Sequence, residues 1–221
     1  MKNKHLILMS LCIFLGTTMT SISFSQKTDK EIQKNISSKA IKLARKEAKK
    51  LKKEGWDVAP GSLPLEKLLE KSYFKAEQET DKGAVKYIVA DGNGVGQTKT
   101  AAETQALFTA KFNLASQIES NVNGLVSSNL ANQQIDKDDA ASITQVLANS
   151  KELISAQLGY VEPTFKIYRT PKGNKENVEV NIKLFYDTEQ SLQIAKKVIQ
   201  KELKDKLKIN EDQLNKMMGI Q

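Results

Sequence analysis

One histidine and one cysteine stand in 221 residues, His5 and Cys12. Both fall where the chain reads as an export leader. Met1-Lys-Asn-Lys is a basic start, residues 6–16 are apolar, and Ser23-Phe-Ser25 puts small residues three and one positions ahead of a cleavage before Gln26. With residues 1–25 removed, the chain holds neither imidazole nor thiol. Ser-His-Asp and Cys-His nucleophilic sites, zinc sites of the ordinary kind and c-type haem attachment then fall away. No disulfide is expected either, although export leads to a compartment that permits one. Cys12 sits in the middle of the apolar run behind Leu11, where a lipidation site wants a small residue, so it reads as part of the leader's apolar segment. The reading is of a protein that is not an enzyme, with no catalytic residues, no cofactor and no metal.

Two further motifs need weighing against plainer explanations. Asp136-Lys-Asp138-Asp139 has the look of a calcium loop, but Ala141 and Leu147 stand where such a loop needs glycine and glutamate. Acids at a helix start explain it better, with Asp136 as cap. Asp91-Gly-Asn-Gly-Val-Gly96 between a strand and a helix invites a dinucleotide reading. The third glycine of that fingerprint is Gln97 here, and the surrounding βαβ repeat is missing. Gly92, Gly94 and Gly96 are therefore expected to let the chain bend where strand turns into helix.

The remaining candidate is electrostatic. From Lys27 to Glu54 eleven Lys or Arg face four acids, a net of +7, while the whole chain carries +8 with two of those charges in the leader. Everything after Gly55 is thus close to neutral. Lys42, Arg45, Lys46, Lys49, Lys50 and Lys53 are the candidate anion-binding residues, by plain Coulomb attraction to a lipid surface, an acidic polysaccharide or nucleic acid. The stretch lacks the interleaved aromatics that stack on bases, so nucleic acid is the least expected partner.

The elements that must position these residues follow from periodicity. Residues 28–54 read as one helix with a narrow stripe of Ile32, Ile36, Ala40, Leu43, Ala44, Ala48 and Leu51, stopped by Gly55. A turn rich in Pro and Gly carries the single Trp56, with Asp57, Pro60 and Leu63, and Pro64 opens a second helix over 65–77 with Leu65, Leu68, Leu69 and Phe74 inward. Trp56 either anchors this elbow to the body or belongs to a recognition surface. Residues 85–91 alternate as a strand. A long helix follows, its stripe running through Leu107, Ala110, Leu114, Ile118, Val122 and Leu125, widened by Phe108, Phe112 and Ala115 and ended or bent at Gly124. One more helix carries Ile143, Val146, Leu147, Leu153 and Ile154 inward. Strands over 161–169 and 178–186 join through a polar loop at 170–175, and Asp187 caps a last helix with Leu192, Ala195, Ile199, Leu203 and Leu207 on its stripe.

The expected fold class is α+β: about three strands in a mixed or antiparallel sheet, covered by helices on one side and preceded by an N-terminal helical pair. The division is 1–25 leader, 26–82 Lys-rich helix, elbow and second helix, 83–208 α+β domain, and 209–221 frayed tail. No segment after the leader approaches the roughly 20 apolar residues of a membrane helix.

Tyr87-Ile-Val-Ala-Asp-Gly-Asn-Gly-Val-Gly96, followed by Ala101-Ala102, Ala106, Ala110 and Asn113-Leu-Ala115, resembles the small bacterial outer-membrane lipoprotein family and the N-terminal domain of the flagellar T-ring assembly protein. The resemblance covers 85–207 and implies an α+β envelope module without known catalysis. This chain departs from it at the leader, which has no lipobox. The Lys-rich helix and the Gly55-Trp56 elbow also resemble secreted proteins of Gram-negative bacteria. The expectation is an exported envelope protein, periplasmic, secreted or associated with the outer membrane, acting through protein contacts or self-association. Its candidate surfaces are Trp56, Asp57, Pro60 and Leu63 of the elbow and the bend at Gly92, Gly94 and Gly96. The alternative is an electrostatic binder acting through the Lys-rich helix.

Overall fold

The longest helix lies against a strand that carries one alanine and three glycines among its ten residues, and the rest of the molecule is built out from that contact. The structure, a computed structural model, describes residues 29–130, 137–173, 176–206 and 215. The leader, Asp136, residues 174 and 175 of the polar loop, Leu207 and most of the C-terminal tail lie outside them.

In chain order the elements are α1 (Asp29–Lys53), α2 (Leu65–Ala76), β1 (Tyr87–Gly96), α3 (Lys99–Leu130), α4 (Lys137–Ala148), α5 (Ser150–Gln157), β2 (Phe165–Arg169), β3 (Val178–Asp187) and α6 (Thr188–Lys206). The sheet is antiparallel with order β1-β3-β2. The fold is α+β, as the alternation of patterns implied.

The glycines are not a bend. β1 runs straight through them and stays paired with β3 as far as Gly96 opposite Val178. Gly92 and Gly94 face α3, where an added Cβ would collide with helix backbone: at Gly94 it would lie 2.5 Å from the Ala106 nitrogen, and at Gly96 2.9 Å from the Ala102 nitrogen. Ala102, Ala106 and Ala110 present the matching small surface and are fully buried. Helix and strand therefore meet backbone to backbone, a close approach that only glycine permits.

That approach also decides which side of α3 is buried. The stripe is Ala102, Ala106, Ala110, Leu114, Ala115, Ile118, Val122 and Val126. Phe108 and Phe112, expected to widen it, lie outward, Phe108 at 69% exposure, because small residues rather than large ones fill the contact with β1. Leu125 yields its place to Val126, and Gly124 does not end the helix, which continues to Leu130. Ile88, Ala90, Val180, Ile182 and Leu184 from the sheet, Ile143, Val146, Leu147 and Ile154 from α4 and α5, and Ala195, Ile199 and Leu203 from α6 complete this core. The single helix expected after Asp136 is two, since Asn149 and Ser150 turn their side chains back onto the carbonyls of Gln145 and Leu147 at 3.0 and 2.8 Å. Leu153 is exposed there. The start of α6 is as read, with the Gln190 N–H donating to the Asp187 carboxylate at 3.0 Å.

The opposite face of the sheet is not bare, as one-sided cover would leave it. Ala44 and Ala48 of α1, Leu65 and Leu69 of α2, Trp56 of the elbow and Phe165 and Ile167 of β2 form a second, smaller core. Residues on both sides of the expected division at 82 and 83 thus share one apolar cluster. Where this cover stops, the outer face is polar and paired across strands: Asp91 with Lys183 at 2.7 Å, Arg169 with Glu179 at 2.6 Å, and Asn181 donating to Asn93 at 2.7 Å.

The free edge of β1 is treated in an unusual way. Gln105, Asn113 and Gln117, spaced along one side of α3, reach around it. The Val95 N–H donates to Gln105 at 2.9 Å, Asn113 donates to the Asp91 carbonyl at 2.8 Å, and Gln117 donates to the Val89 carbonyl at 2.9 Å.

Candidate functional site

Alanine at every fourth position positions the charges of α1. Ala40, Ala44 and Ala48 are buried, and with no side chain beyond Cβ the helix sits low against its neighbours. At 100° per residue, Lys39, Lys42, Lys46, Lys49 and Lys53 fall within an arc of about 80° on the reverse side. Their steps of three and four residues keep the row aligned for about 21 Å. All five are exposed, and Arg45 and Lys50 flank the row. Among the described residues only Lys50 of these seven has an acid within reach, Glu54 at 3.9 Å. Lys52, off the row, pairs with Glu66 of α2 at 3.7 Å.

Leu43, expected inside, is 43% exposed because the buried stripe is centred on the alanines and does not reach it. The one acid in the middle of α1, Glu47, accepts a hydrogen bond from the Tyr73 hydroxyl of α2. Burial and that carboxylate push the Tyr73 hydroxyl up to about 12. Glu47 thus ties α1 to α2 and points away from the lysine row.

The other predicted surface residues are dispersed. Trp56 is 7% exposed, with the Arg169 guanidinium 4.4 Å from its ring centre, so it is the anchor and not a recognition residue. Asp57 exchanges two backbone hydrogen bonds of 2.8 Å with Tyr168, adding one rung to the β2 edge. Pro60 and Leu63 are exposed on the elbow, and Gly55, with φ of +86°, ends α1. Gly92 and Gly94 are buried under α3 and cannot act as a surface, and Gly96 is partly covered.

Reading the sequence missed a polar cluster between α3 and β2. Glu103 accepts from Tyr168 at 2.7 Å and from Lys166 at 3.2 Å, and the Lys99 ammonium lies 4.0 Å from the Tyr168 ring centre. Burial would raise the Glu103 carboxyl, but the bonds from Tyr168 and Lys166 and the nearby cations outweigh it and hold the group below its usual range. Burial and the bond to Glu103 raise the Tyr168 hydroxyl. For Lys166, burial opposes the charge, but Tyr168 and Glu103 more than offset it, so its ammonium titrates above the ordinary value. Beside the cluster is a cavity of 170 Å³ lined by Thr100, Thr104, Leu107, Tyr160, Pro163 and Ile182. Both Glu103 oxygens already hold partners, so the arrangement fastens strand to helix. The strand alternation puts Lys166 and Tyr168 on one face, which was a visible signal; the acid 63 residues away was not.

No described helix is long and apolar enough to cross a membrane. No family model, curated protein or solved structure matches the chain.

Proposed function

We propose that this chain is a non-enzymatic protein of the cell envelope that holds a polyanion against the outer face of α1. The observation that carries the reading is the row of Lys39, Lys42, Lys46, Lys49 and Lys53, exposed on one side of a helix whose other side is committed to the fold. Seven cations in so short a span create a local positive potential that a nearly neutral body does not cancel. Export rests on the leader pattern, and the absence of catalysis on a chain without histidine or cysteine beyond that leader. Placement in the envelope is part of the proposal and rests on that leader pattern and on the motif read in residues 87–115, not on any matched relative.

Heparin serves as a generic polyanion for the test. The full chain is expected to be retained on immobilised heparin at low salt and released as the Debye length shrinks from about 30 Å to below 10 Å. The variant K42Q/K46Q/K49Q/K53Q is expected to flow through at low salt with an unchanged melting temperature. Equal retention of both would sink the reading.

One observation favours a second reading, protein contact. Phe108 and Phe112 stack at 6.5 Å between ring centres on the exposed side of α3. A partner that co-purifies in high salt with the native chain but not with F108S would establish it.

A further inference from the structure

We infer that the polyanion is the headgroup plane of an anionic bilayer, to which α1 adsorbs from the outside without entering; this rests on the reading of α1 as the binding element. Four observations select a surface over a free polymer chain. The lysine row stands on the outer side of an exposed helix, opposite its buried alanines, and the three main clefts of the described residues are lined by other elements. A free polyanion is held best where walls focus the field, whereas a straight row on a rigid rod touches a plane along its whole length. Second, the cations are mostly lysine, point charges that need no bidentate geometry and suit mobile, laterally exchanging headgroups. Third, the row from Lys39 to Lys53 carries no aromatic residue, and among the described residues its one exposed large apolar neighbour is Leu43, to one side, so little is offered to stack on bases or to bury deeply in acyl chains. Fourth, in the described part of the apolar stripe that an inserting amphipathic helix would use, Ala44 and Ala48 are closed within the second core, and Glu47 beside them is bonded to Tyr73. The fold has to bind as it stands, by charge alone.

The test is flotation of the full chain with vesicles of phosphatidylglycerol and phosphatidylcholine in equal parts, against vesicles of phosphatidylcholine alone. K42Q/K46Q/K49Q/K53Q carries the same residues 1–25 and controls for insertion by that segment. The expected result is binding at least about tenfold stronger to the anionic vesicles, lost in the variant and lost at high salt, as expected for charges within a Debye length of the surface. Tryptophan emission of the single Trp56 should not change on binding, because the anchor stays buried. Retention on heparin without binding to either vesicle would overturn the inference and leave the role of α1 intact. Failure to bind heparin and vesicles alike would remove both. Equal binding of native chain and variant to the anionic vesicles would overturn the inference in favour of adsorption through another surface.

Discussion

The two faces of the sheet use the same device to opposite ends. On one face, alanines of α3 meet glycines of β1, and the closeness of helix and strand seals a core that also receives α4, α5 and α6. On the other, alanines of α1 bring a helix down beside α2 and Trp56, but the core there is small and the closeness leaves a helix whose far side belongs wholly to solvent. A stripe of small side chains marks close packing in both. What differs is the content of the reverse side: Phe108, Phe112 and amides on α3, an unbroken row of ammonium groups on α1.

Breaking the first face should cost most. Gly94→Val would set branched carbons where Ala102 and Ala106 backbone already lies, with no flexible side chain to give way. A loss of about 3 kcal/mol or more is expected, with little folded protein at 37 °C by circular dichroism. Breaking the second face should cost somewhat less and act locally. Trp56→Ala is expected to lose about 3 kcal/mol in urea unfolding, with hydrogen exchange rising first in α1 and α2 while α3 stays protected. Equal loss of protection in both helices would show that the two cores are one cooperative unit.

The smallest effect sharpens the comparison by pH. The Tyr73 hydroxyl stands at about 12 in the fold, above the ordinary value of 10.0. The protonated form is therefore favoured by folding: its contribution is fully present below pH 10 and is lost as pH rises through about 12. Tyr73→Phe should abolish that alkaline loss, about 1–2 kcal/mol after allowance for solvent screening, in unfolding curves compared between pH 9 and 12. An identical alkaline slope in both proteins would mean that Glu47 and Tyr73 do not join α1 to α2 in solution.

Much of this arrangement was legible in the residues. The stop of α1 before Gly55, the entry to α2 at Pro64, the alternation of β3 and the cap at Asp187 each depend on a neighbour no more than four positions away, and local chemistry decided them. The failures share a cause of the other kind. Gly92-Asn-Gly94 looks like a turn until a helix lying across it is known, since glycine serves bends and close contacts equally. Phe108 and Phe112 looked like core because large apolar side chains usually are, yet a glycine strand leaves room only for alanine. For the candidate site, the identity and the excess of the lysines could be read directly. Their isolation from acids could not, because it depends on Glu47 turning toward Tyr73 across an interface 26 residues distant.

The reach of Gln105, Asn113 and Gln117 around β1 has a consequence for life in a crowded compartment. An open strand border is a template on which other chains, including copies of the same one, can lay down a fourth strand and then a fibre. Here the amides of a neighbouring helix occupy three backbone groups of that border, so molecules gathered side by side at high local density meet an obstructed template along β1. Pairing along β1 then has to begin by lifting α3, whose inner stripe is buried along its whole length.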